Sequence, residues 1–235
     1  MQLPSLFLAL SERDLPAAQP PGKRVRLASR LDTLMYRLAT GNALPEPDPA
    51  KRWDAANVAM VAQDLPRSAP VLDCGAFMSS STATLATLGF RHLHGIDIAA
   101  PVVAQPLARR ALCTVQDMQA TAYDDESFEL IVSASTIEHG VSWERFLHEA
   151  KRLLRPGGLL YVSTDLVPDD ADVSHVTAFG LPWTPLRPSQ MRKLLALVRN
   201  VGFEPPPYQE IELLDPPLSF AGQAIGFAAL AVRSA

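Results

Sequence analysis

Val71-Leu72-Asp73-Cys74-Gly75 and, further on, Gly95-Ile96-Asp97-Ile98 decide how this chain is read. Each is a short apolar run with an acid beside a glycine, the pattern of a buried parallel strand that delivers polar groups at its carboxyl end. Asp97 follows Gly75 by about 20 positions, the interval at which a nucleotide-binding βαβ unit places its ribose-binding carboxylate. The pair predicts a parallel α/β fold that grips a ribose-bearing cofactor.

Working outward, strands and helices alternate from Ala69 onward, which predicts a mostly parallel sheet. Strands are expected over residues 71–73, 92–98, 111–116, 128–133 and 159–164, with helices over 82–88, 102–109 and 143–154. Pro156-Gly157-Gly158 supplies a turn between the last of these helices and the strand after it. Beyond Pro188 a helix is expected to about Val201. Strands near 209–214 and 225–232 then finish the chain as an antiparallel pair.

Upstream, proline-rich stretches at 16–22 and 45–49 break the chain. Between them Leu27, Leu31, Leu34, Met35 and Leu38 recur at helical spacing, and a second helix is expected over 51–65. Residues 1–66 therefore read as an N-terminal helical cap, and residues 67–235 as the main α/β domain. The apolar opening, residues 3–10, is too short to span a bilayer and has no Lys or Arg before it, so it reads as an amphipathic segment docked on the body.

With 235 residues, 48% of them hydrophobic and 20% charged, the chain can bury a sizeable core. Its net charge of −4 provides no global field to collect phosphates, which argues against a dedicated nucleic-acid binder. The basic cluster Lys23, Arg24, Arg26 and Arg30 reads as a solvated helix face. Cys74 and Cys113 lie in apolar, strand-like contexts with no CxxC partner and no metal-spaced His, so both read as reduced core thiols. That fits a cytoplasmic protein without a resident metal and without a membrane span.

Five stretches, taken in order, resemble the class I S-adenosylmethionine-dependent methyltransferases of the small, ubiquinone-methyltransferase-like type. They are residues 71–75, residues 95–98, Gln116-Asp117-Met118 with the run to Ile131, residues 133–139, and Leu153-Leu154-Arg155-Pro156-Gly157-Gly158. The resemblance spans about Ala69 to Asp165. It implies a Rossmann-like, seven-stranded, mostly parallel sheet with helices on both faces, and S-adenosyl-L-methionine as cofactor.

The same resemblance implies roles for individual residues. Gly75 lets the backbone pass close beneath the methionine portion of the cofactor. Asp73 orients that loop or meets the ammonium through water. Asp97 accepts from both ribose hydroxyls, which its two oxygens suit. Ile98 packs an adenine face, Asp117 accepts from the adenine amino group, and the Met118 amide meets a ring nitrogen. Ser133 and Ala134 line the methionine side through their backbone. One departure stands out: Gly75 is followed by Ala76-Phe77-Met78-Ser79 where further glycines are usual.

Catalysis asks little of such a protein, because a methyl on a sulfonium is already activated and in-line placement supplies most of the acceleration. A base helps where the acceptor is a hydroxyl or an ammonium. His139, just past the fourth strand, is the leading candidate; His175, in a loop placed to cover substrate, is second, and Asp165 ranks with it. His148 reads as a packing residue. Tyr36, Trp53 and Trp183 either line an acceptor pocket or belong to the core. The expected acceptor is a small or carbohydrate-like molecule. Two other readings stay open: a methyltransferase-like scaffold with weakened catalysis, motivated by the altered glycine loop, and a nicotinamide oxidoreductase, whose G-x-G-x-x-G signature is not matched.

Overall fold

The computed structural model describes residues 5–15, 49–105, 109–213 and 215–235. Its main sheet contains β1 (Ser5–Ala9), β2 (Pro70–Cys74), β3 (His92–Asp97), β4 (Leu112–Val115), β5 (Phe128–Ser133), β6 (Leu154–Leu166), β9 (Leu218–Phe220) and β10 (Gln223–Arg233). A separate small hairpin is formed by β7 (Thr177–Ala178) and β8 (Leu181–Pro182). The strand order is β1-β10-β6-β5-β2-β3-β4, with β9 paired to β10. Strands β2 to β6 are parallel, so their carboxyl ends share one edge of the sheet. β10 runs antiparallel to β6 and to β1.

Successive residues of the central strands feed opposite cores, as expected where both faces are covered. Val71, Leu130 and Leu159 pack on one side with Trp53, Val58 and Leu85. Leu72, Ile131 and Leu160 pack on the other with Phe146, Leu147, Leu194 and Leu195. The helices that supply these residues are α1 (Pro49–Ala62), α2 (Ser80–Thr87), α3 (Trp143–Leu153) and α4 (Met191–Val201). Apolar residues on α3 recur at Phe146, Leu147, Ala150 and Leu153, one buried stripe on an otherwise charged helix. His148 lies on this helix. Gly202 ends α4 at φ +101, a left-handed cap that glycine adopts without steric penalty.

The expected strands at 71–73, 92–98, 111–116, 128–133 and 225–232 are present with small shifts of their ends. Four expectations need correction. Residues 5–9, assigned to a helical cap, are an edge strand: Ser5 pairs with Ala231 and Ala9 with Phe227. An apolar segment that short satisfies its backbone best by joining an open sheet edge. Residues 209–213 form no strand, so the expected antiparallel partner of the last strand is missing there; β1, β6 and β9 fill that role. Where a helix was expected over 102–109, the described residues form a 3₁₀ turn, Ala100–Ala104, with Pro101 at its start, and residues 106–108 lie outside the described residues. Finally, β6 begins directly at Leu154, and Pro156-Gly157-Gly158 sits inside it as an irregularity that shifts its register against β5. The helix expected over 25–38, Tyr36 and the basic cluster at 23–30 lie outside the described residues.

Candidate functional site

The carboxyl ends of β2, β3, β5 and β6 bring Asp73, Asp97, Ser133 and Asp165 to one edge of the sheet, where open α/β sheets bind their ligands. Asp73 is buried, and Thr82 Oγ1 donates to its Oδ2 at 2.5 Å, tying β2 to α2. Its Oδ1 is also buried and meets no partner among the described residues. Burial pushes this carboxyl up to about 6, against the lowering effect of the Ser79 and Thr82 hydroxyls.

After Asp73 the chain turns at Gly75, φ +84. A Cβ there would lie 2.1 Å from Thr136 Oγ1, so the glycine is required by the loop that follows β5. The departure Ala76-Phe77-Met78-Ser79 is held at every step. The Phe77 amide donates to Asp97 Oδ2 at 3.1 Å and the Met78 amide to Gln105 Oε1 at 2.8 Å. Gln105 Nε2 returns a hydrogen bond to the Ala76 carbonyl at 2.9 Å. Ser79 then caps α2, its hydroxyl accepting from the Ser81 and Thr82 amides. Met78 adopts φ +60 within this clamp.

Asp97 also accepts from the Ala99 amide at 2.8 Å through Oδ1, so each of its oxygens is oriented by the backbone. Beside it Ile98 is 58% exposed, an apolar face turned outward at the same edge. Asp117 forms an Asx-type turn, accepting from the Gln119 amide at 2.9 Å, while Met118 is buried. The segment is anchored from α3, where Glu149 accepts from the Thr121 amide and hydroxyl and pairs with Arg152 at 2.7 Å.

The loop after β5 carries the titratable groups. Ser133 is fully buried. Ser135, at φ +47, donates to Asp54 Oδ2 at 2.9 Å, and Tyr161 donates to Asp54 Oδ1 at 2.8 Å. Glu138 is buried with its Oε2 unpartnered among the described residues. Burial, then the Asp165 and Asp54 carboxylates, hold its carboxyl well above the usual range. His139 is half-buried; burial holds its imidazole below the ordinary value, and its ring is neutral at pH 7.

A hairpin fastens itself over this loop. The Thr184 amide donates to the Glu138 carbonyl, Trp183 Nε1 donates to Asp165 Oδ2 at 2.9 Å, and Trp183 bridges His139 through the backbone. At its tip Phe179 sets its ring edge-on to His139 at 5.2 Å. His175 is elsewhere: it is exposed, with Nδ1 4.0 Å from Asp172 Oδ1. Trp53 and Trp183 are both buried in the core. Sequence reasoning missed Gln105, Thr136, Glu138 and Phe179 as parts of the site. Thr136 and Glu138 stood inside the 133–139 stretch; Gln105 and Phe179 belonged to no motif. Among the described residues no group of His, Cys, Asp and Glu is arranged to hold a metal, and no helix is long and apolar enough to cross a membrane.

Residues 72–162 match the family model of a methyltransferase domain. The fold is shared with the Burkholderia thailandensis 1,6-didemethyltoxoflavin-N1-methyltransferase bound to 1,6-didemethyltoxoflavin and S-adenosylhomocysteine (19% identity, 93% of each chain, TM-score 0.58). It is shared too with the geranyl diphosphate C-methyltransferase of Streptomyces coelicolor (12% identity, 94% of this chain and 100% of that one, TM-score 0.59). The [4+2]-cyclase SpnF is similar as well (17% identity, 93% and 99%, TM-score 0.54). A search of curated protein sequences returned no match. The Rossmann-like sheet defines the fold as that of the class I S-adenosylmethionine-dependent methyltransferases, and residues 72–162 within it match a methyltransferase domain.

Proposed function

We propose that the chain transfers a methyl group to a small-molecule acceptor seated between the loop after β5 and the β7–β8 hairpin. The carrying observation is the neutral His139, placed three residues beyond the Thr136 that abuts Gly75. The His139 amide also bonds the Thr136 carbonyl at 3.1 Å, which supports a proton acceptor close to Gly75. The residues fit the cofactor: Asp97 presents two oriented oxygens to a ribose, Ile98 an open apolar face to adenine, and Asp117 an acceptor for the amino group. The unpartnered Asp73 Oδ1 faces no hydrogen-bond donor of its own and suits an ammonium, reached directly or through water. The Met118 amide and the Ser133 backbone complete the lining.

When bound, the cofactor supplies a methyl already activated on sulfur. The chain's work is to orient the acceptor atom in line with it and to exclude water. His139 then takes the proton that a hydroxyl or ammonium acceptor must lose. His175 serves, in this reading, as a residue of the substrate-covering loop. A carbohydrate-like acceptor is one of the small molecules the site could take. The buried, unbridged Cys74 and Cys113 support a reducing, cytoplasmic setting.

Calorimetric titration with S-adenosylhomocysteine tests the cofactor half of the reading. Micromolar binding is expected, weakened by roughly 1–3 kcal/mol in Asp97→Ala through loss of charge-assisted hydrogen bonds. No binding by the folded protein would instead favour a methyltransferase-like scaffold.

A further inference from the structure

The hairpin turn that crowns the site is built against its own local preference. Phe179 and Gly180 both have positive φ, +55 and +78, as a two-residue type I′ turn requires. The first of these positions favours Asn, Asp or Gly, and an aromatic side chain there is strained. Phe179 is also 91% exposed, so the ring gains almost nothing from burial. A bulky residue held in a disfavoured conformation, with its ring in solvent, points to a use for that ring.

The surroundings say what the use is. The turn cannot swing freely, because Trp183 is buried, donates to Asp165 and bridges His139, and its amide bonds the Val176 carbonyl. Phe179 therefore stands fixed beside His139, with 5.2 Å between ring centroids and 86° between ring planes. Two rings at a right angle make a corner. A flat ligand can stack on one ring while it meets the other edge-on, the arrangement that aromatic quadrupoles favour.

We propose that Phe179 is the acceptor-gripping residue, and that with His139 it selects an acceptor with a planar aromatic face. The inference rests on the methyl-transfer reading above and narrows it to a substrate class. Phe179 touches the acceptor and takes no part in proton transfer.

The test uses the full chain with quinoline as the planar probe and methyl β-D-glucopyranoside as the non-aromatic one. Binding is followed by the proton NMR signals of the His139 ring, assigned with H139Q, with and without saturating S-adenosylhomocysteine. Quinoline is expected to shift the His139 signals upfield and saturably. Phe179→Ala should weaken it about 5-fold or more, and Phe179→Trp should retain it. Phe179→Asn should lose affinity while raising the melting temperature by about 2 °C, because Asn relaxes the turn. Equal affinity in Phe179→Ala, or His139 signals that respond to the glucoside and not to quinoline, would overturn the proposal. If quinoline binds at His139 but S-adenosylhomocysteine does not bind, the cofactor reading falls and the aromatic corner stands. If S-adenosylhomocysteine binds and quinoline leaves His139 unmoved, only the corner falls.

Discussion

Asp73 shows how one buried carboxyl links stability to ligand binding. Its pKa is 3.8 in an exposed chain and about 6 in the fold, raised chiefly by burial. The stability it contributes is therefore present below about pH 3.8 and is lost as pH rises through about 6. Asp73→Asn should be more stable than the wild type at pH 7.5 by about 1–3 kcal/mol, the gap closing below pH 4, as thermal melts across that range will show. The variant should also bind S-adenosylhomocysteine more weakly if Oδ1 meets the ammonium. His139 runs the other way. Burial lowers its pKa, so turnover should hold as pH falls from 7.5 to 6.5 and His139→Ala should cut turnover far more than cofactor affinity. A pH–rate profile whose acid limb lies above 6.5 would remove it from the proton-transfer role.

Among the elements, the loop from β2 to α2 matters most, because it replaces missing glycines with a clamp. Gln105 bonds the Met78 amide and the Ala76 carbonyl from a largely buried position, so Gln105→Ala leaves both backbone groups without partners. A loss of about 1–3 kcal/mol is expected in chemical denaturation, together with weaker S-adenosylhomocysteine binding. The sequence marked this loop as unusual but did not reveal the clamp, since Gln105 lies 27 residues from Met78 and belongs to no motif. Local signals fared better where they were dense. β5 has the predicted limits, and α3 differs by one residue, because apolar spacing and a Ser142 cap coincide. At the start of the helix expected over 102–109 the described residues form a 3₁₀ turn, because Pro101 and a short apolar run cannot separate such a turn from a full helix. Gly75 was legible, but its cause was not: Thr136, far along the chain, excludes the side chain.

For the whole molecule, the central parallel strands and the antiparallel last strand were readable, and the β1 edge beside it was not. The short segment Ser5–Ala9, with four apolar residues, carries no period that decides between helix and strand, and its pairing from Ser5–Ala231 to Ala9–Phe227 does. Deleting residues 1–9 should cost on the order of 2–4 kcal/mol and bare one edge of β10. Lower melting temperature with increased light scattering is the expected outcome; an unchanged melt would mean that β1 rests on the sheet without supporting it. The pairing also sets an order of events in time. At roughly 5–20 residues per second, the ribosome needs on the order of 10–45 s to make the chain between β1 and its partner. Throughout that interval β10 does not exist, and β6, once made, presents an unpaired flank until β10 follows it. The sheet thus closes only once β10 is made, and β1 waits through that interval for the strand it pairs with.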